Sequence, residues 1–443
     1  MSYLTQPRKS KQIPLGIPYI IGNELAERFS FYGMKCILII FMTQYLVDSK
    51  GLLDPMSNSE ATYWYHMFTS AVYFTPIFGA IISDAFLGKY KTILLLSIVY
   101  CFGHFSLAIN ETRLGLTIGL ALISIGAGGI KPCVTAHVGD QFGKTNSFLI
   151  SKIFSWFYIS INLGAFISTM LTPFLLHKYG PTLAFGIPGV LMFLATCIFW
   201  LGRNEFIHIP PSGMKFIKEI FSKDGIYSIF KLSIIYVFVS MFWALFDQTG
   251  STWVLQAENL DRNWMGIEWY SSQIQSINPI MILILAPTFS YYLYPQLNKY
   301  INLTPLKKIS IGLFLAIPSF IIIGIVEKWI GLGYSPSIAW QVFAYVILTA
   351  SEVLISITCL EFSYTQAPNS IKSLIMGFFL LSVSLGNIFT AWINAIIINS
   401  DGSSKLAGEM YYYFFALVIA ITAVLFLFVV KYYKPHTYLH KEK

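Results

Sequence analysis

Twelve runs of about 20 mainly apolar residues, each long enough to cross the hydrocarbon of a bilayer, recur near 16–46, 61–86, 91–109, 113–134, 148–176, 183–202, 226–256, 270–295, 307–326, 337–363, 372–398 and 408–432. The polar connections between them are short, with one exception. From Arg203 to Gly225 the chain passes through Ile209-Pro210-Pro211-Ser212-Gly213 and then Lys215, Lys218, Glu219, Lys223 and Asp224. That stretch splits the pattern into two groups of six. The pattern predicts an all-α polytopic membrane protein in which 1–202 forms an amino-terminal six-helix half, 203–225 a linker and 226–443 a carboxy-terminal half. Within the linker, 214–221 has the spacing of a short amphipathic helix lying along the membrane surface. Two six-span halves around a midplane cavity, each containing inverted repeats, is a plan used by membrane carriers.

Six ionisable residues interrupt the apolar runs: Glu24, Glu27, Arg28, Lys35, Lys131 and Glu352. A charge in hydrocarbon is costly enough to mark function by default, so these groups are expected to face one another or a water-filled path. At about 100° per residue, Glu24, Glu27 and Arg28 share one helix face, and Lys35 returns to it. A buried ion-pair network that merely braces the bundle is the competing reading. A static pair is expensive to hold dry, whereas alternating access benefits from pairs that exchange partners.

Composition agrees with the pattern. Of 443 residues, 56% are hydrophobic and only 11% charged, against roughly 25% charged in soluble domains. The net charge of +8 is an orientation signal, because most lysines and arginines fall in the amino-terminal tail (Arg8, Lys9, Lys11), the linker, alternate loops and the carboxy-terminal tail. That excess predicts both termini on the cytoplasmic side. No basic patch interleaved with exposed aromatics suggests nucleic acid. All five cysteines (Cys36, Cys101, Cys133, Cys197, Cys359) fall in predicted spans without metal-type spacing, so neither a metal nor a disulfide framework is expected. No cleavable signal is visible, and the mature chain is expected to keep its full length. No nucleophile elbow, HExxH or glycine-rich phosphate loop supports an enzyme, and no cofactor is implied.

The decapeptide Glu24-Leu25-Ala26-Glu27-Arg28-Phe29-Ser30-Phe31-Tyr32-Gly33 resembles the ExxERFxYYG motif of the proton-dependent oligopeptide transporter family, with Phe31 in place of its first tyrosine. Gly79-Ala80-Ile81-Ile82-Ser83-Asp84-Ala85-Phe86-Leu87-Gly88-Lys89 is similar to the family's loop signature after the second span. Phe157-Tyr158-Ile159-Ser160-Ile161-Asn162-Leu163-Gly164 resembles its FYxxINxGS signature, with Ala165 where serine is usual. Gly128-Gly129-Ile130-Lys131-Pro132, Phe242-Trp243-Ala244-Leu245-Phe246-Asp247-Gln248, Glu361-Phe362-Ser363-Tyr364 and Gln366-Ala367-Pro368 extend the resemblance over nearly the whole chain. Several segments look more like animal members than like most bacterial ones.

The resemblance implies the major facilitator fold and proton-coupled import of di- and tripeptides across the cell (inner) membrane. It places Arg28, Lys131 and Tyr32 at the peptide's carboxylate and backbone, and Glu352 at its amino group. It also assigns Asn162 and Asn278 to backbone amides and Trp243 to the pocket; aromatic walls such as Tyr73, Tyr158 and Trp243 suit varied side chains, and Ser356 is counted with this binding set. The physics agrees, since peptides of differing side chains share only two charged ends and amides. A cationic half and an anionic half would clamp those ends, and arginine suits a bidentate carboxylate contact. Glu24 and Glu27 are the favoured proton carriers, with Lys131 and Glu352 forming a pair that peptide disrupts. His66 is similar to a second-span histidine of animal members, and imidazole titrates near neutrality. Lys35 and Asp247 match positions that pair across the halves at the extracellular side, and Asp84 belongs with Lys89 to the inward gate.

The sequence also departs from the family. Phe379 stands where many relatives have tryptophan, Phe41 where animal members have tyrosine, and Thr252 and Ser290 where animal members pair an arginine with an acid. Two rivals remain: the same fold moving an amino acid or nitrate, and a receptor that binds peptide without transport. Retention of Glu352 beside the cations favours a zwitterion, and the expected form is a functional monomer.

Overall fold

The fold is seen in a computed structural model that describes residues 3–7, 9–367, 371–397 and 404–435. Arg8, Pro368, Lys441 and Lys443, which entered the orientation and motif readings, lie outside the described residues. Among the described residues, eleven helical segments are long and apolar enough to cross a membrane: Asn58–Leu87, Lys89–Ile109, Arg113–Asp140, Ser147–Tyr179, Pro181–Asn204, Lys223–Ala257, Ser271–Leu297, Pro305–Gly331, Ala339–Gln366, Leu374–Ile396 and Glu409–Tyr432. A further helix, Ile17–Gln44, precedes them. It falls short of that measure only because Glu24, Glu27, Arg28 and Lys35 crowd its apolar run. These twelve are called the first to twelfth helices below. The fourth extends to Asp140, past the apolar stretch ending near 134, because a helix continues beyond the hydrocarbon once its backbone ladder is set.

Local chemistry starts several helices where the sequence asks for it. Ser57, Thr112, Ser222 and Thr304 accept at their side-chain oxygens from the backbone N–H of Glu60, Gly115, Gly225 and Lys307, satisfying donors that the first turn leaves open. Between the seventh and eighth helices, Asn263–Trp264 pairs antiparallel with Ile267–Glu268. The two linking residues, Met265 and Gly266, both have positive φ, as a tight hairpin turn requires.

Two apolar cores organise the bundle. One draws on residues from Ile17 to Phe206 with Val254 added, and the other on Leu232 to Phe426. Close backbone approach is built in where side chains are absent: a Cβ on Gly79 would collide with Gly128 O and with Gly129 Cα on the fourth helix.

Both termini and the linker meet at one end of the bundle, here the terminal end. Leu4 bridges Ile207, His208 N donates to Leu4 O at 2.7 Å, and Lys231 Nζ donates to Lys434 O at 2.8 Å. The linker helix spans Met214–Ile220, and Phe216 is buried with Ala85 and Leu374. It therefore bridges the second and eleventh helices. Among the described residues, three helices contain a wide π turn, at Ile82–Leu87, Phe289–Leu293 and Val353–Ile357; the last begins immediately after Glu352.

Candidate functional site

The halves meet along the second and eleventh helices, the fifth and eighth, and the first and seventh. Between them lies a cavity of about 270 Å³, near the lower end of the small-molecule range of roughly 300–1,000 Å³. Tyr32, Tyr73, Asn162, Trp243, Asn278, Glu352 and Ser356 line it, together with Lys35 and Asp247. A larger groove of about 670 Å³ runs between the third and sixth helices, but its lining is almost wholly apolar and includes none of the candidate residues.

The anionic pole belongs to the carboxy-terminal half. Asn278 Nδ2 donates to Glu352 Oε2 at 2.6 Å and approaches Thr349 Oγ1 at 3.2 Å. No cation pairs with Glu352 among the described residues; its carboxyl is held by the Asn278 amide and faces the cavity. Nearby, Trp243 Nε1 is a buried donor without a partner among the described residues.

The cationic pole sits one layer deeper in the amino-terminal half. Arg28 Nε donates to Glu24 Oε1 at 2.7 Å and lies 3.3 Å from Glu27 Oε2. The close packing of Gly164 against Leu25 O and Arg28 Cβ brings the first helix tight against the fifth. Lys131 Nζ stands 3.9 Å from the centre of the Phe31 ring and 5.5 Å from that of Tyr73, a cation–π arrangement, and makes no hydrogen bond among the described residues. Arg28, Lys131 and Tyr158 are absent from the cavity lining. The expected pair between Lys131 and Glu352 is not formed in this conformation: Phe31 and Tyr73 hold the ammonium in one half while Asn278 holds the carboxylate in the other. Asn162 Nδ2 donates to Tyr158 O within its own helix at 3.0 Å, which leaves its carbonyl oxygen for the cavity.

At the end away from the termini, Lys35 Nζ and Asp247 Oδ1 are 2.7 Å apart. Asp247 also accepts from Asn387 Nδ2 at 2.7 Å. Asn387 Oδ1 lies 2.7 Å from His66 Nδ1, and His66 Nε2 lies 2.9 Å from Ser251 Oγ. Since the amide nitrogen of Asn387 is committed to Asp247, its oxygen must accept, and His66 Nδ1 carries the hydrogen. In the neutral ring Nε2 accepts from the Ser251 hydroxyl. With a second proton, Nε2 donates to Ser251 Oγ, whose own hydrogen can turn to Gln248 O at 3.4 Å. His66 is fully buried and belongs to the seam between the halves, outside the cavity lining.

At the terminal end, Lys89 Nζ bonds Asp140 Oδ2 at 2.7 Å, and Asp84 O accepts from Ser212 N at 2.7 Å. Asp84 thus ties the second helix to the linker. Asn387 and Ser251 escaped the sequence reading, as did the cavity residues Tyr65, Gln275 and Tyr345. A signal for Asn387 existed: Ser384, Asn387, Thr390 and Asn394 form a buried polar stripe at helical spacing inside an apolar run.

A twelve-helix bundle in two packed halves, with a charged cavity at their junction, defines a membrane protein of the major facilitator type. The POT family model matches residues 90–224 and 222–410, and the chain belongs to that family, whose members are transporters rather than enzymes. It is 36% identical over 365 residues to human solute carrier family 15 member 2, covering 71% of this chain and 49% of that protein. It is 37% identical over 354 residues to peptide transporter family 1 of Drosophila melanogaster, covering 69% and 47%. The chain spans about half the length of the curated relatives it matches. A crystal structure of an auto-inhibited POT family peptide transporter superposes with a TM-score of 0.87 at 30% identity, covering 97% of this chain and 99% of that one. Another, of the POT family transporter PepTSo, gives 0.84 at 33% identity, covering 95% and 98%.

Proposed function

We propose that this protein is a symporter that imports di- and tripeptides with protons by alternating access. One observation carries the reading: the Glu352 carboxyl, with no cation partner among the described residues, faces the cavity from one half, while the Lys131 ammonium, without a hydrogen-bond partner among them, lies behind the cavity-lining Tyr73 in the other. A short zwitterion satisfies both at once, and Asn162, Asn278 and Trp243 offer neutral contacts for what lies between its ends. Relatives and neighbours named as peptide transporters support the substrate class. Tyr32, Tyr73, Tyr158 and Ser356 complete the binding set, with Arg28 reaching the carboxylate as its hold on Glu24 relaxes.

Proton coupling is assigned to Glu24 and Glu27 beside Arg28, and to His66 at the seam, whose bonding network accepts the ring in either protonation state. The Lys35–Asp247 pair closes one end of the cavity, and Asp84 with the linker serves the other. The halves 1–202 and 226–443 rock about the cavity in a functional monomer of the cell membrane, with both termini cytoplasmic.

Counterflow and gradient-driven uptake in proteoliposomes, using di-alanine and tri-alanine, test the reading. Accumulation of either against its gradient is expected when the outside is acidified, with excess unlabelled peptide competing and nitrate or free alanine failing to compete. Absence of gradient-stimulated accumulation would falsify it.

A further inference from the structure

The amino-terminal half contains a second polar interior, apart from the cavity between the halves. On the first helix, Asn23, Glu27 and Ser30 recur at i, i+4 and i+7, and all are fully buried. On the third, Ser97, Tyr100 and His104 recur at i, i+3 and i+7, and none is more than 1% exposed. Both helices set out from the terminal end, so the two stripes run in the same direction. They meet the sixth helix at one level: Ser30 Oγ donates to Pro188 O at 2.6 Å, and a Cβ on Gly189 would stand 2.9 Å from His104 Cβ. Toward the terminal end, Tyr100 lies within electrostatic reach of Glu27 and Arg28.

More than half of the buried side-chain polar atoms without a hydrogen-bond partner, among the described residues, belong to this zone. They are both amide atoms of Asn23, Glu24 Oε2, both oxygens of Glu27, Ser97 Oγ, Tyr100 OH and both ring nitrogens of His104. Arg28 Nε lies 3.3 Å from Glu27 Oε2 without hydrogen-bond geometry, and the Phe185 backbone is within hydrogen-bonding reach of the His104 ring, which leaves the other ring nitrogen open. Native interiors satisfy such groups with protein or ordered water. Here unpartnered donors and acceptors lie on two helices that both pack against the sixth, the groups a bridging water needs.

We propose that these stripes enclose a string of ordered waters running from Glu27 past Tyr100 to His104, and that Glu27 exchanges its proton with this water rather than with the substrate cavity. The second half of this statement rests on the proton-coupled reading above; the hydration does not. The charged and titratable groups facing this interior are Glu24, Glu27 and Arg28 on the first helix, Tyr100 and His104 on the third and Lys131 on the fourth. The sixth helix is apolar around Phe185, Pro188 and Met192, and the fifth meets the first on its other side through Gly164.

Hydroxyl-radical footprinting of the whole protein in oxygen-18 water, with radicals generated in place by an X-ray pulse, tests the water. Tyr100 and His104 are expected to take up label faster than Tyr236, which is buried in the other half, slightly less deeply at 4% exposed, and donates to Ser363 Oγ at 2.8 Å. Labelling no faster than Tyr236 overturns the hydrated interior. The proton route is tested with Tyr100→Phe, which preserves shape and removes the hydroxyl. Loss of most gradient-driven peptide uptake with exchange retained supports it, whereas an unchanged pH profile of uptake overturns it. If the unaltered protein shows no gradient-driven uptake, the proton route falls with the proposed function while the labelling result still decides the water.

Discussion

Lys35 and Asp247, 212 residues apart in sequence, form an ion pair of 2.7 Å between the first and seventh helices. Both side chains are less than a tenth exposed, so removing one partner leaves a buried charge with only partial compensation, at a cost of about 3–5 kcal/mol. Lys35→Ala is expected to lower the melting temperature and to widen the distance between spin labels on the adjoining ends of these helices. An unchanged distance distribution would show that the pair does not hold that end closed.

His66→Gln keeps room for one of the two hydrogen bonds of the ring, to Asn387 or to Ser251, and cannot take a second proton. Gradient-driven uptake is expected to fall to background while peptide exchange continues. Full uptake in this variant removes His66 from the coupling.

Glu352→Gln still lets an amide oxygen accept from Asn278 but loses the negative pole. A charge-assisted hydrogen bond contributes about 1.5–3 kcal/mol, so affinity for peptides with a free amino end is expected to drop about tenfold to a hundredfold. Peptides with an acetylated amino end, bound weakly from the start, should be nearly indifferent. Competition curves for the two ligand types separate a recognition role from general damage to the cavity.

Gly79→Ala puts a methyl group into the backbone of Gly128 on the fourth helix. Backbone on both sides cannot yield as a flexible side chain would, and overpacking of this kind costs about 1–3 kcal/mol. The expected result is a lower melting temperature and reduced yield of folded protein. A variant as stable as the parent would mean that the second and fourth helices are free to separate.

Arg113 joins Asp54 at 2.7 Å and Glu60 at 2.6 Å at the end away from the termini. The guanidinium bond holds the Asp54 carboxyl below its usual value of 3.8. A carboxyl depressed in the folded state adds stability above its unfolded value and loses it as pH falls through the folded one. Because the clamp is well exposed, its contribution is small, and the loss of that contribution is confined to pH below about 4. Asp54→Asn should lower the melting temperature slightly at neutral pH, by an amount that shrinks as the pH falls below about 4, so that its acid limb is flatter than the parent's.

The bundle was largely legible because hydrocarbon imposes a simple rule: about 20 apolar residues per crossing. Charges that break this rule, Glu24, Glu27, Arg28, Lys35, Lys131 and Glu352, stood out for the same reason. Their partners were harder to read. Lys131 and Glu352 look complementary along the sequence, yet Phe31 and Asn278 occupy them separately. Asn387 was missed because a neutral amide in an apolar run raises no alarm by itself; its place between Asp247 and His66 depends on three helices meeting at one point. The depth of Arg28 behind the cavity wall follows from how tightly Gly164 lets two helices approach, which no single-helix projection contains.

The wide turn at Val353–Ile357 carries one more residue than an ordinary helical coil would use for the same contacts. Absorbing that surplus would twist everything beyond it by about 100° relative to what precedes it. Glu352 lies before the surplus and Ser356 within it, so the angle between these two cavity-facing side chains is set by how the backbone is wound. Shortening the segment by a single residue would therefore alter the shape presented to a ligand while every contacting side chain kept its chemical identity.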